Sequence, residues 1–352
     1  MKLIAFYLPQ FHQIPENDLW WGQGFTEWTN TRKRQTLFPG HNQPREPYQD
    51  YYYDLTDETA RKWQAQIAQK YGIYGFCYYH YWFKGKRLLE KPFNEVLKTG
   101  EPDLPFCLSW ANEPWTRRWD GWIHDVLMPQ DYGDEEDWKE HFDFLLTAFK
   151  DKRYIRVDNK PLFIIYKPGS IPRCEEMLLY WQNLAKQNGL EGIYFVKTLA
   201  AFPIPQNEGF DACLEFEPGY TLSHDGGSTF RRAVDGYQQK FIVMDYDQVC
   251  SRILDRSDKK KNIKTFPGAF IDWDNSARVG NRALIFKGST PEKFSYYLSQ
   301  QIQKAVNISN SEFLFINAWN EWAEGTYLEP DKKYGYQYLE AVKKSLDNNG
   351  LQ

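Results

Sequence analysis

Two glutamates near the end of the chain, Glu321 and Glu324, have the residue type and spacing of a catalytic carboxylate pair. They lie in residues 317–325, NAWNEWAEG, among tryptophans that could bind sugar rings. Glycoside cleavage needs an acid for the leaving oxygen and a second carboxylate for the anomeric centre. Three-residue spacing on a helical turn places the Cβ atoms about 5–6 Å apart, and repulsion raises one pKa toward that of a general acid. Alternatively, Glu321 caps a helix and Glu324 is merely exposed.

The elements that must position this pair alternate between strands and helices. Eight apolar, β-rich runs are predicted as strands: Leu3–Leu8, Tyr74–Tyr79, Phe106–Trp110, Leu162–Tyr166, Tyr194–Thr198, Ala212–Phe216, Ala269–Trp273 and Phe313–Ala318. Amphipathic stretches between them are predicted as helices: Asp57–Tyr71, Glu135–Lys150, Cys174–Gln187, Tyr246–Arg256 and Pro291–Val306. This alternation predicts an α/β fold, a (β/α)8 TIM barrel formed by residues 1–352 as one domain. A doubly wound sheet is the alternative, but no glycine-rich turn follows the first strand.

Two long loops follow predicted strands, over residues 9–54 and 111–133. In a TIM barrel such loops build the active site, and their aromatic content argues against disorder. The tryptophans in these two loops are Trp20, Trp21, Trp28, Trp115, Trp119 and Trp122. We therefore expect long, aromatic-rich loops around a binding site.

Polar residues follow every predicted strand, and in a barrel they would converge on one pocket. Those expected to contact a substrate are Gln10, His80, Trp82, Asn112, Glu113, Tyr166, Glu215, Asp272 and Asn320, together with Trp28 and Trp319. Each could instead be a solvated loop residue, and His80 could be a strand-end histidine satisfied by the protein. As a set, they indicate a site.

Composition and motifs exclude several classes of protein. The net charge of −4 argues against a nucleic-acid partner, and no segment is long and apolar enough to span a membrane. The five cysteines show no CxxC spacing, which argues against disulfides or zinc. The triplets Asp245-Tyr246-Asp247 and Asp272-Trp273-Asp274 are weak candidates for holding a divalent ion. We expect a cytoplasmic enzyme without metal or other cofactor; the oligomeric state is left open.

Several motifs resemble one known family. Residues 320–326, NEWAEGT, followed by Glu329-Pro330, resemble the catalytic segment of glycoside hydrolase family 99 endo-α-mannosidases. The whole chain more closely resembles the WbsX-type relatives found in bacterial polysaccharide loci. Their hallmarks are matched by residues 6–12 FYLPQFH, 20–28 WWGQGFTEW, 75–82 GFCYYHYW and 109–115 SWANEPW.

The resemblance implies a (β/α)8 barrel and a retaining, metal-independent reaction on α-mannoside-like or α-rhamnoside-like linkages. Carried over, Glu321 would take the proton of the sugar 2-hydroxyl, whose oxygen closes an epoxide-like intermediate, and Glu324 would act as acid and then base. Glu113, His80 and Trp82 would contact the sugar.

The resemblance also brings a conflict, because WbsX relatives are commonly described as glycosyltransferases of lipopolysaccharide O-antigen assembly. The leading hypothesis is a glycoside hydrolase or transglycosylase acting on an oligosaccharide or polysaccharide. The alternatives are a glycosyltransferase and a non-catalytic glycan-binding protein.

Overall fold

A nearly closed barrel of parallel strands, surrounded by helices, organises the chain in the computed structural model, which describes residues 1–117, 122–203, 209–234, 240–256 and 263–351. In chain order the barrel strands are Lys2–Tyr7, Ile73–Phe83, Phe106–Trp110, Lys160–Ile165, Tyr194–Leu199, Ala212–Glu215, Lys264–Phe266 with Gly268–Phe270, and Phe313–Asn317. The first strand pairs with both the second and the eighth. The predicted (β/α)8 architecture is confirmed.

The seventh strand consists of two pieces, so that nine parallel segments form the barrel. Lys264–Phe266 pairs with the sixth strand, and Gly268–Phe270 pairs with the eighth. Pro267 separates the pieces because it has no backbone N–H for the ladder; its carbonyl accepts a hydrogen bond from Phe315 N at 3.1 Å. The predicted strand Ala269–Trp273 is thus placed too late in the chain.

Helices occupy the connections between most strands. The α-helices of the described residues are Pro15–Trp21, Glu27–Lys33, Glu58–Lys70, Lys91–Thr99, Glu135–Phe149, Cys174–Gln187, Gly219–His224, Tyr246–Asp255, Ser276–Val279, Pro291–Asn307 and Gln337–Asp347. The five predicted helices are all present, with ends shifted by at most one residue. The other six of these helices were not predicted; the longest of them are Lys91–Thr99 and Gln337–Asp347. Residues 200–203 and 209–211, after the fifth strand, contain no helix, as expected.

Short strands outside the barrel ladder form hairpins on barrel strands and small sheets after the third, the sixth and seventh, and the eighth strands. These strands are Lys86–Leu88, Trp115–Arg117 with Trp122–Met128, Arg156–Val157, Arg231–Arg232 with Ile242–Asp245 and Leu284–Lys287, and Asn320–Glu321 with Thr326–Tyr327. The hairpin of Trp115–Arg117 and Trp122–Met128 lies after the third strand, where the sequence predicts a long loop.

An aromatic layer fills the barrel interior around Phe6. The Phe6 ring lies 5.0 Å from Phe216, 5.5 Å from Tyr79 and 5.9 Å from Phe315. These rings fill the interior of the barrel, as side chains do in other TIM barrels. Within the described residues, no helix is both long enough and apolar enough to cross a membrane.

Candidate active site

A cavity of about 500 Å³ lies at the carboxyl-terminal ends of the barrel strands. This is the face on which TIM barrels carry their active sites. Residues near or beyond the carboxyl-terminal ends of all eight strands line it, among them Leu8, Gln10, Tyr79, Tyr81, Glu113, Tyr166, Ala200, Phe216, Trp273, Arg278, Glu321 and Glu324. The cavity is therefore built by the whole barrel rather than by one loop.

Glu321 and Glu324 both line the cavity because a tight turn follows the eighth strand. Residues Trp322–Glu324 form one turn of 3₁₀ helix, and Gly325 ends it with a φ of 64°. A Cβ at Gly325 would lie 2.9 Å from the Cβ of Asp274, so both the conformation and the space require glycine. The motif forms a 3₁₀ turn rather than a turn of α-helix.

One guanidinium group, that of Arg278, contacts both glutamates. Its Nη1 donates to Oε1 of Glu324 at 2.6 Å, and its Nη2 donates to Oε2 of Glu321 at 3.1 Å. Oε1 of Glu27 lies 3.6 Å from the same Nη2 and accepts a hydrogen bond from Ala323 N at 2.9 Å. We refer to Arg278, Glu27, Glu321 and Glu324 as the Arg278 cluster.

The Arg278 cluster is arranged to retain a proton. Burial, and next the charge of Glu324, raise the pKa of Glu321 well above its ordinary range, although Arg278 opposes the shift. Burial also raises the pKa of Glu27 to about 6. The side chain of Glu324 is 18% exposed and that of Glu321 is 6% exposed. A carboxyl group that stays protonated near neutral pH is what general acid–base catalysis requires.

Three other predicted residues, Gln10, Glu113 and Tyr166, also line the cavity. Glu113 and Tyr166 follow the third and fourth strands, across the barrel from the seventh and eighth. Oε1 of Glu113 accepts a hydrogen bond from Lys167 Nζ at 3.0 Å, and the Tyr166 ring packs edge-on against Phe216. The structure therefore brings polar groups to both sides of the cavity.

Tryptophans from the long loops lie at the cavity, as the sequence suggests. Trp21 and Trp115 line it, and Trp20 packs 5.9 Å from the Trp115 ring. Trp119 is outside the described residues, and Trp122 begins a strand of the hairpin. Trp273 also lines the cavity, although the sequence singled it out only within a possible metal motif.

His80 and Trp82 lie on the other face of the second strand, away from the cavity. His80 Nε2 is 2.9 Å from His141 Nε2, and the Trp82 ring stacks on His141 at 4.4 Å. Burial lowers the pKa of His80 to about 3, so this imidazole is neutral. Because side chains alternate along a strand, Tyr79 and Tyr81 face the cavity instead. The two-residue period would have identified these tyrosines once the register was known.

Asn112 and Asn320 join neighbouring strand ends rather than lining the cavity. Asn112 accepts from Lys167 N at 2.7 Å and donates to Lys167 O at 2.9 Å. Asn320 accepts from Leu8 N at 2.7 Å and donates to Leu8 O at 3.0 Å. Each amide thus replaces one rung of backbone pairing where two strands end.

Trp28 and Trp319 are buried and pack against other aromatic rings. Trp28 Nε1 donates to Tyr53 O at 2.9 Å, and its ring lies 5.2 Å from Trp322 in the 3₁₀ turn. The Trp319 ring packs 5.0 Å from Phe76 inside the core. Neither ring lines the cavity expected from the sequence.

Glu215 belongs to a second group of acidic residues around one arginine. Arg256 Nη1 lies 3.0 Å from Glu215 and 2.8 Å from Glu217, and Arg256 Nε lies 3.2 Å from Asp225. We refer to these four residues as the Arg256 cluster. None of these four residues lines the cavity, and the predicted substrate-binding residue Glu215 instead pairs with Arg256.

The two D-x-D triplets have protein partners. Asp272 accepts from Arg45 Nη2 at 2.8 Å, and Asp274 lies 2.8 Å from His41 Nε2. Burial opposes ionisation of Asp274, but His41 and Arg45 lower its pKa to about 2. Asp245 caps the helix that follows it. Across the described ranges, no three His, Cys, Asp or Glu side chains are arranged to hold a metal ion.

The following two solved structures are among those that share this fold. The GH99 endo-alpha-mannosidase from Bacteroides thetaiotaomicron matches with a TM-score of 0.58 and 15% identity, over 98% of this chain and 96% of that one. A protein described as glycoside hydrolase-like matches with a TM-score of 0.62 and 16% identity, over 98% and 93% of the two chains. At such identities the likeness concerns the fold alone.

Sequence relatives are closer. The uncharacterized protein WxcX of Xanthomonas campestris pv. campestris is 38% identical over 347 residues, in strain ATCC 33913 and in strain B100. The match covers 98% of this chain and 49% of WxcX, so the chain spans about half the length of these relatives. The profile of the family described as Glycosyltransferase WbsX matches residues 3–342. The chain belongs to the WbsX family.

Proposed function

We propose that this protein is a retaining glycoside hydrolase, or a transglycosylase, acting on α-linked sugars with a mannose-like 2-hydroxyl group within a polysaccharide. One observation carries the proposal: Glu321 and Glu324 meet at one guanidinium group on the wall of a cavity that aromatic rings also line. The barrel fold and the WbsX membership support a glycan-active enzyme.

In the proposed first step, Glu321 removes the proton from the 2-hydroxyl group of the bound sugar. The freed oxygen attacks the anomeric carbon from the side opposite the leaving group and closes an epoxide-like ring. The bond to the leaving oxygen breaks, and Glu324 donates a proton to that oxygen. Glu321 suits the role of base because its raised pKa makes it a stronger base than an ordinary glutamate.

In the second step, water or another sugar hydroxyl attacks the anomeric carbon. Glu324 takes the proton of the attacking group, the epoxide C–O bond opens, and Glu321 returns its proton to the 2-oxygen. Two inversions at the anomeric carbon give net retention. Both glutamates end the cycle as they began it.

The proposed mechanism places one proton on the two carboxyl groups together, and the position of that proton matters. Arg278 lies closer to Glu324 than to Glu321, at 2.6 against 3.1 Å, and burial raises the pKa of Glu321 well above its ordinary range, which together favour the protonated form of Glu321. The first step needs that proton on Glu324. Substrate binding must therefore weaken the contact between Arg278 and Glu324 and pass the proton to Glu324.

The decisive experiment is a product-resolved assay on α-mannans and on polysaccharides that contain 6-deoxyhexoses with a manno configuration. We expect new reducing ends, and NMR should show that the first-formed product keeps the α configuration. An inverted product, or cleavage that persists in both Glu321→Gln and Glu324→Gln, would contradict the mechanism. Saturable glycan binding without turnover, unchanged by Glu324→Gln, would instead support a glycan-binding protein.

The family description makes a glycosyltransferase the second candidate. A transferase would bind a nucleotide sugar, and a ligand that binds only the folded protein raises Tm. Thermal unfolding with a panel of nucleotide sugars, with and without Mn²⁺, tests this. We expect no shift, because Asp272 and Asp274 are engaged by Arg45 and His41. A Tm shift that requires both nucleotide and metal would favour the transferase.

A further inference from the structure

A third carboxylate, that of Glu27, reaches the catalytic turn from a distant part of the sequence. It begins the helix Glu27–Lys33 in the loop after the first strand, where its side chain is fully buried. Its Oε1 accepts a hydrogen bond from the backbone N of Ala323 at 2.9 Å. Ala323 lies between the two reacting glutamates, so Glu27 holds the middle of the turn that carries them.

The surroundings of Glu27 are costly for a residue that serves stability alone. A buried charge needs close partners to offset the loss of hydration. Arg278 Nη2 lies 3.6 Å away and is shared with Glu321, and Oε2 of Glu27 is buried with no hydrogen-bond partner among the described residues. An amide or an apolar side chain would fill this space at a lower cost, which indicates that the negative charge has another role.

We propose that Glu27 is a positioning residue for the reacting pair: its backbone contact fixes the turn that carries Glu321 and Glu324, and its charge holds Arg278 and the shared proton between them. This inference rests on the proposed function. Glu27 does not line the cavity, so it acts through the other members of the Arg278 cluster rather than on a substrate.

Several charged or titratable groups surround Glu321 and influence its pKa. In the Arg278 cluster these are Glu324, Glu27 and Arg278, and the phenols of Tyr79 and Tyr81 face Glu321 from the second strand. The Glu27 charge raises the pKa of Glu321, whereas Arg278 lowers it. Removing the Glu27 charge must therefore let the pair lose its shared proton at a lower pH.

The test uses Glu27→Gln, which keeps an oxygen for Ala323 N and removes the charge. We expect kcat to fall about tenfold with KM little changed, and the alkaline limb of the kcat profile to move down by about one pH unit. Glu27→Ala also removes the acceptor, and we expect a larger loss of kcat. Glu27→Asp keeps the charge and should restore the position of the limb in part.

A matched control is Glu217→Gln in the Arg256 cluster. Glu217 is also fully buried, pairs with an arginine at 2.8 Å and accepts from a backbone N, that of Thr221, at 3.1 Å. We expect this variant to lose stability and to leave the alkaline limb unmoved. The inference would be overturned if Glu27→Gln kept the wild-type kcat and the wild-type position of the alkaline limb. It would also be overturned if kcat in Glu27→Gln fell only as far as stability fell, as in Glu217→Gln.

A measurement without turnover separates this inference from the proposed function. Titration of ¹³C-labelled glutamate carboxyl groups by NMR, assigned with Glu321→Gln, reports the ionisation of Glu321 directly. If the wild-type protein cleaves no glycan, the proposed function fails. A pKa of Glu321 that drops in Glu27→Gln would still support the electrostatic coupling, and an unchanged pKa would refute it.

Discussion

The Arg278 cluster and the Arg256 cluster contain almost the same groups and have different surroundings. In each, three carboxylates surround one guanidinium group at 2.6–3.6 Å and 2.8–3.2 Å, respectively. Each follows barrel strand ends. Only the Arg278 cluster lines the cavity, through Arg278, Glu321 and Glu324. Buried charge and a shared arginine therefore do not mark an active site by themselves.

The difference lies in what else contacts the charges. In the Arg256 cluster the guanidinium group stacks over the Tyr220 ring at 4.5 Å, and Glu217 binds the start of a helix through Thr221 N. These contacts complete a structural network. In the Arg278 cluster, the turn of Trp322–Glu324 brings two carboxyl groups to open space. Buried charged groups can act on a ligand where some of them line a cavity, as those of the Arg278 cluster do.

The largest expected contrast concerns the glutamates themselves. Glu324→Gln and Glu321→Gln should each lower kcat by about 10²–10⁴-fold, because proton transfer at the leaving oxygen or at the 2-hydroxyl group is lost. Glu217→Gln, in the other cluster, should keep kcat within a few-fold. Steady-state rates at equal amounts of folded enzyme measure the contrast. Equal losses of kcat in the variants of both clusters would contradict a catalytic role that is confined to the Arg278 cluster.

The next contrast concerns stability. Arg256→Met leaves three acidic side chains without their cation, and we expect the free energy of unfolding to fall by about 3–5 kcal/mol. Arg278→Met should cost less, because the Arg278 side chain is 20% exposed beside the cavity and that of Arg256 is 9% exposed. Urea unfolding at pH 7 gives both values. The reverse order would contradict the structural role assigned to Arg256.

Because Glu27 is buried, its ionisation should make the free energy of unfolding depend on pH. Its pKa rises from 4.5 in the unfolded chain to about 6 in the fold, so the folded state binds more protons between these values. Stability therefore falls as pH rises from 4.5 to 6, by about 2 kcal/mol. Glu27→Gln should remove this decline. The same slope in wild type and variant would mean that Glu27 has an ordinary pKa.

Arg278 and Glu27 should shift the activity profile in opposite directions. Arg278→Met removes a positive charge that lowers the pKa of Glu321, so the alkaline limb should move to higher pH, by about one unit. Arg256→Met should leave the limb in place. Profiles of kcat against pH for the two variants provide the measurement, and a downward shift in Arg278→Met would contradict the electrostatic assignment.

The smallest effect is expected at the aromatic rings. Trp21→Ala and Trp115→Ala should each raise KM about 2–10-fold with kcat nearly unchanged, because each removes an aromatic ring at the cavity wall on which a sugar can stack. Trp138→Ala, in the core, should reduce stability and leave KM unaltered. A fall in kcat with constant KM in Trp115→Ala would place that ring at the reacting sugar instead.

Much of the fold follows from local patterns. The strand Phe106–Trp110 and the helix Cys174–Gln187 have the predicted boundaries, because apolar runs and periodic amphipathic stretches are read within one element. The seventh strand was misplaced because Pro267 divides it, and a proline-split strand does not show as one apolar run. Gln337–Asp347 was not recognised as a helix, although its buried face packs on Pro291–Asn307.

The sequence by itself determined the alternation of strands and helices and the position of the carboxylate pair after the eighth strand, since both depend on residues close together in the chain. The tertiary structure alone decided which residues join that pair. Arg278 and Glu27 come from other loops, 46 residues before Glu324 and 296 residues before Ala323. It also decided that Tyr79 and Tyr81, rather than His80 and Trp82, face the cavity. Strand register and loop packing depend on contacts between distant segments, and no local pattern encodes those contacts.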